Sequence, residues 1–181
     1  KSPASQSILW RNFRVTVLCD RLFRIEEDPT HRFNDRATQS ILYRDLPPVP
    51  FRTEEANGAL TVATDAAELT LSEDPAQCFV LLDGVRHPLD NRGNLLGTTR
   101  TLDCFDGEYN IRDGHRLTLS EGVCSREGVA ILDDTASLTL DADGFPDAAS
   151  PDKSDRYLFA YGHDYRAAVR ALYRLTGLPP M

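Results

Sequence analysis

Apolar and polar positions alternate along most of this chain. Phe13, Val15 and Val17 interleave with Arg14, Thr16 and Leu18, and Leu22, Phe23 and Ile25 stand among Arg21, Arg24 and Glu26. Two short runs joined at Cys19-Asp20 predict a β-hairpin, because side chains on a strand point to opposite faces at every second residue. Residues 60–64 and 69–71 repeat the theme around Asp65-Ala66-Ala67, and further runs follow at 78–82, 129–132 and 138–140. Asp, Gly or Pro closes each run, and short β-prone runs separated by turn residues predict an antiparallel β-sandwich. Residues 84–115 break the pattern with six glycines or prolines (Gly84, Pro88, Gly93, Gly97, Gly107, Gly114) and little periodicity, and are expected to form a long loop leaving the sandwich. Past a polar connector at 147–155, Tyr157, Phe159 and Tyr161 alternate as a last strand. The period then changes. Asp164 stands at an N-cap position, Tyr165, Ala168, Val169, Leu172 and Tyr173 follow at helical spacing, and Gly177 with Pro179-Pro180 ends the single predicted helix.

Composition narrows the function. At 181 residues the chain suits one sizeable all-β unit. Its net charge of −8 repels phosphate backbones, which argues against nucleic acid, whereas neutral ligands such as sugars meet no such penalty. The longest clean apolar run, residues 79–82, is far short of the ~20 residues of a spanning helix, so no membrane association is expected. Lys1 to Gln6 show no signal-peptide core. Cys19, Cys78, Cys104 and Cys124 include no Cys-x-x-Cys pair, and four scattered histidines add no ligand cluster. Neither metal nor cofactor is therefore expected, and the reading is of reduced thiols in a cytoplasmic protein.

No complete catalytic constellation can be read from the residues. The sequence lacks a Gly-x-Ser-x-Gly elbow and a phosphate-binding Gly-x-x-x-x-Gly-Lys loop. Asp133-Asp134 lies between two strand-like runs and reads as a turn. Residues 103–108 (DCFDGE) lack the alternating oxygen ligands of a calcium loop and read as solvated loop.

Four segments carry more information together than apart. They are Phe33-Asn34-Asp35-Arg36-Ala37-Thr38-Gln39; residues 93–103 (GNLLGTTRTLD); residues 122–128 (GVCSREG) followed by Leu132-Asp133-Asp134; and Tyr161-Gly162-His163-Asp164-Tyr165 through Leu175-Thr176-Gly177-Leu178-Pro179-Pro180. In this order they resemble segments of glycoside hydrolase family 31, the α-glucosidase and α-xylosidase family. Leu96-Gly97 and Val129 depart from the residues common in that family.

The resemblance implies a galactose-mutarotase-like β-sandwich at residues 1–163. Residues 164–181 would then be a helix and linker leading to a catalytic (β/α)₈ barrel that these residues do not include. It implies a parent enzyme that hydrolyses α-glycosidic bonds with retention, acting on α-linked oligosaccharides. Such an enzyme uses a pair of carboxyl groups held by the barrel, so no catalytic residue is expected here. The loop at 91–103 is the candidate substrate-binding element, with Asn94, Arg100 and Asp103 suited to sugar hydroxyls. The competing reading is that Arg100 and Asp103 pair within the loop and hold its shape. The partner is expected to be the chain's own barrel. It would be met by an apolar surface around Tyr157, Phe159, Tyr161, Leu172, Leu175 and Leu178, which would let the isolated domain self-associate; packing of all six inside the domain is the alternative. A free-standing carbohydrate-binding or interaction module is the alternative function.

Overall fold

The computed structural model describes residues 4–97, 120–147 and 154–178. Among the described residues ten strands form two five-stranded antiparallel sheets. The first contains β1 (Ser7–Trp10), β2 (Phe13–Cys19), β3 (Leu22–Glu27), β9 (Ala130–Asp133) and β10 (Ser154–Phe159), in the order β1-β2-β3-β10-β9. The second is a meander in sequence order: β4 (Arg52–Ala56), β5 (Ala59–Ala63), β6 (Glu68–Ser72), β7 (Phe79–Leu82) and β8 (Val85–Pro88). The chain thus builds three strands of one sheet, all of the other, and returns to complete the first. The expected β-sandwich with one C-terminal helix is what forms.

Two hairpins owe their geometry to their turn residues. Asn57-Gly58 joins β4 to β5 with φ of 52° and 75°, and Asp83-Gly84 joins β7 to β8 with φ of 51° and 80°. Two successive positive φ values match the right-handed twist of flanking strands, and Asn-Gly and Asp-Gly are the pairs that adopt them most readily. The loop predicted to begin at residue 84 therefore starts later, because Val85–Pro88 pairs with β7. The run at 138–140 is not a strand, and makes isolated bridges from Thr139 to Thr38 and from Leu140 to Pro146.

One core lies between the sheets. Val15, Val17, Phe23, Ile25, Ile131 and Leu158 from the first sheet meet Leu60, Val62, Leu69, Leu71, Val80 and Leu82 from the second. A register shift between Val17 and Cys19 in β2 ends the simple alternation, and Leu18 joins a second core on the opposite face of the same sheet. There Leu22, Tyr157 and Phe159 pack under Ile41, Val123, Cys124 and the helix α1 (Tyr165–Thr176). The first sheet is therefore buried on both faces, in a three-layer arrangement.

The helix forms as its sequence predicts. The Asp164 carboxylate accepts from Ala167 N at 3.0 Å, satisfying a first-turn amide that has no partner in the helix. Ala168, Ala171, Leu172 and Leu175 recur at intervals of three or four and bury one stripe. At its other end Leu42 N and Tyr43 N both donate to the Leu175 carbonyl at 2.8 Å. Of the six side chains expected to form an apolar outer surface, Tyr157, Phe159, Leu172 and Leu175 are buried within the domain and Tyr161 is partly buried against the same core. Leu178 alone is open to solvent, at 82% exposed. Five of the six thus pack inside the domain, as the alternative reading had it, because the helix folds back onto β10.

Candidate functional site

The second and third segments pair at the root of the loop. Leu95 N donates to Cys124 O at 2.8 Å, Gly97 N to Ser120 O at 2.8 Å and Arg126 N to Gly93 O at 2.9 Å. Two asparagines pin this root by imitating peptide groups, since a carboxamide offers a donor and an acceptor side by side. Asn94 donates through Nδ2 to Gly122 O at 2.9 Å and accepts at Oδ1 from Gly122 N at 2.7 Å. Asn91 does the same to the backbone of Ile131 in β9, at 3.0 and 2.7 Å. The Asn94 side chain is thus engaged with backbone. Arg100 and Asp103, the other two candidate binding residues, lie outside the described residues.

The third and fourth segments meet at a close backbone approach. Gly162 N donates to Gly128 O at 2.9 Å, and a Cβ on Gly128 would stand 2.9 Å from Gly162 Cα. His163 Nε2 lies 2.9 Å from the Arg126 carbonyl and, as the protonated nitrogen, donates to it. Cys124 sits in the core under the helix. Cys19 and Cys78 are free thiols.

The first segment closes over the charged half of the first sheet. Arg24 on β3 is fully buried and chelates Asp155 of β10 through Nε and Nη2 at 2.8 and 2.6 Å, while Nη2 stands 3.1 Å from Glu26. Arg14 of β2 grips the same Glu26 at 2.6 and 2.8 Å. Both arginines donate to the Asn34 carbonyl, at 3.2 and 2.9 Å. Arg44 donates to the Arg36 carbonyl at 2.6 Å and to Tyr157 Oη at 2.5 Å, and its Nη2 lies 3.7 Å from Asp134 and 3.9 Å from Asp155. Thr38 Oγ1 donates to Asp134 at 2.7 Å. Three guanidinium groups are thereby matched by the carboxylates of Glu26, Asp134 and Asp155, a balance that buried charge requires.

Asp134, read from sequence as a turn residue, is 2% exposed and belongs to this network; Asp133 holds the turn instead, accepting from Thr135 N at 2.9 Å. Burial raises the pKa of Glu26 against the pull of Arg14 and Arg24. Burial likewise raises that of Asp134, against its hydrogen bonds to Ser137 and Thr38 and the charge of Arg44. Burial also pushes the Tyr157 hydroxyl well up. Arg24 and Glu26 looked like the solvent-facing positions of a half-buried strand. Their burial follows from β3 being central in its sheet and roofed by residues 28–46, which local alternation does not reveal.

The described parts of the four segments singled out in the sequence thus gather on or beside the layer covering the outer face of the first sheet. This arrangement braces a loop root. Among the described residues no group of three or more His, Cys, Asp or Glu side chains could hold a metal ion. Among them, too, no helix is long and apolar enough to cross a membrane.

Comparison with protein-family profiles gives no match, and comparison with curated proteins gives no significant match. Among solved structures, the fold matches a GH31 dextranase of Flavobacterium johnsoniae. In its glucose complex the match has a TM-score of 0.53, 12% identity, and covers 98% of this chain. A variant of that dextranase complexed with isomaltotriose gives a TM-score of 0.51, again at 12% identity and 98% coverage. In fold, therefore, the chain resembles one part of a glycoside hydrolase family 31 enzyme, spanning 26% of that enzyme's length.

Proposed function

We propose that this chain is the N-terminal, non-catalytic β-sandwich domain of a retaining α-glycoside hydrolase, bracing a catalytic barrel and helping to shape its substrate pocket. The observation that carries the reading is the near-complete match of this chain to about a quarter of a GH31 dextranase. The convergence of the four family-like segments on one layer supports it, because that layer positions the root of the loop that carries Arg100 and Asp103, whose side chains suit sugar hydroxyls, while the Asn94 carboxamide tethers that root to Gly122. In this reading the barrel meets the covering layer, where Leu42, Tyr43, Leu96 and Leu178 are exposed. The other face of the sandwich offers less apolar surface: among the described residues, Val85 at a hairpin turn is the large apolar side chain that the second sheet leaves exposed.

The test is made in the polypeptide the gene encodes. A barrel following Met181, with hydrolysis of an aryl α-glycoside, supports the reading. In that enzyme Asp103→Ala is expected to lower kcat/KM by about tenfold, the size of one lost sugar hydrogen bond at ~1.4 kcal/mol. A full-length product without a barrel that still binds α-glucan would replace this reading with a carbohydrate-binding module.

A further inference from the structure

The β4–β5 hairpin carries a reactive position that the glycosidase reading does not use. All five residues of β4 are exposed, and the strand ends in Asn57-Gly58, the single Asn-Gly pair in the sequence. Asn57 is exposed, and its carboxamide has no hydrogen-bond partner among the described residues. Asn12, also exposed, is followed by the bulky Phe13, and other described carboxamides are engaged. Those of Asn91 and Asn94 are bound to backbone, and Asn34 is held in a turn, accepting from Arg36 N at 2.9 Å. A Cβ on Gly58 would meet nothing nearer than Arg11 Nη2, at 3.8 Å. The space beside Gly58 is therefore open, with the Arg11 guanidinium at its edge.

We propose that Asn57 is a site of spontaneous deamidation in the folded protein, with solvent water as co-reactant and Arg11 as an electrostatic aid. The Gly58 amide nitrogen gives up its proton to solvent and attacks the Asn57 side-chain carbonyl carbon. A nitrogen–carbon bond forms, the carbon–NH₂ bond breaks, and ammonia leaves with a proton taken from solvent. The resulting five-membered imide adds one water across either carbonyl and opens to aspartate or to isoaspartate. Water enters, ammonia departs, and no electrons change hands. A positive charge beside the reacting amide favours the negative charge that develops on it. Glycine at the second position matters because no side chain crowds the attacking nitrogen.

The product changes the hairpin. A new carboxylate beside Arg11 competes with Glu73, whose Oε1 now pairs with Arg11 Nη1 at 2.7 Å. Aspartate keeps the two-residue turn, since Asp-Gly suits it as well as Asn-Gly. Isoaspartate inserts an extra backbone carbon and disturbs the pairing of Ala56 with Ala59 that the turn closes.

The experiment incubates the folded chain at mildly alkaline pH and maps all its tryptic peptides, the one from Thr53 to Arg86 carrying Asn57, by mass spectrometry with isoaspartate-specific detection. Conversion of Asn57 to both acid forms, with Asn34, Asn91 and Asn94 unchanged, is expected. Asn57→Gln should abolish it while leaving the circular dichroism spectrum intact, and Arg11→Met should slow it. If Asn57 keeps its amide in the folded chain while the urea-unfolded chain converts, the turn protects the residue and the proposal fails. An unchanged rate in folded Arg11→Met removes the guanidinium from the mechanism.

Discussion

Replacing Gly128 by Ala tests the contact on which the covering layer depends. Two separate penalties apply. Gly128 has φ of 85°, a left-handed conformation that costs a residue bearing a Cβ about 1–2 kcal/mol. The new methyl would also stand 2.9 Å from Gly162 Cα, against an optimum carbon–carbon separation of roughly 3.5–4.0 Å. Its nearest neighbour is backbone, so no side chain can swing away. The Gly162 N to Gly128 O bond of 2.9 Å ties the two strands of chain together and resists their separation. Overpacking of this kind costs about 1–3 kcal/mol. The sum is roughly 2–5 kcal/mol. Gly84→Ala supplies the control. Its φ is 80°, yet a Cβ there meets nothing within 4 Å, so only the conformational penalty remains. Urea unfolding can be followed through Trp10, the one tryptophan in the sequence and a buried member of the inter-sheet core. The expected result is a loss in Gly128→Ala that exceeds that of Gly84→Ala by about 1–3 kcal/mol. Equal losses in the two variants would refute the close approach and leave only backbone strain.

Four further outcomes follow from the same structure. Arg24→Met strands the carboxylates of Asp155 and Glu26 and should cost about 3–5 kcal/mol in urea unfolding, part of which Asp155→Leu added to it should recover; a mild single variant would show that the network is not tightly coupled. Glu26 and Asp134 have raised pKa values, so the stability each contributes is present below its unfolded pKa of about 4 and is lost as pH rises through the folded value. Asp134→Asn should accordingly flatten stability against pH in the mildly acidic range, measured by unfolding at successive pH values. Asp164→Ala removes the helix N-cap and should cost ~1 kcal/mol, seen as a lower Tm with unchanged strand signal. The chain itself, incubated with aryl α-glucoside and α-xyloside, should show only the buffer rate; turnover that purifies with it would contradict a non-catalytic role.

The strands that alternate cleanly, β2, β3, β5, β6 and β7, were legible because a period of two leaves a local signature. So was α1, where Asp164 and Gly177 mark both ends. β4 was not. Its sequence Arg-Thr-Glu-Glu-Ala has no apolar face, because both of its faces meet solvent. The Asn57-Gly58 turn after it was the available signal, as Asp83-Gly84 was for β8. The buried network was illegible for another reason. Arg24, Glu26 and Asp155 occupy positions that local pattern assigns to solvent, and only tertiary cover from residues 28–46 removes them from it. Of the candidate site, the described parts of the segments that resemble a glycosidase family do gather together, but the partners of each side chain, such as the grip of Asn94 on Gly122, are decided by another segment.

The paired root at Gly97 and Ser120 combines two kinds of tether. Gly97 N donates to Ser120 O at 2.8 Å, and the neighbouring tethers are side chains gripping peptide groups. Asn91 and Asn94 hold that root through backbone groups, whose chemistry does not depend on neighbouring side chains. The backbone of Gly122 and of Ile131 is thereby held whatever side chain stands beside it. Tethers of this kind tolerate substitution at the residues they hold, because the groups they grip are common to every amino acid except proline.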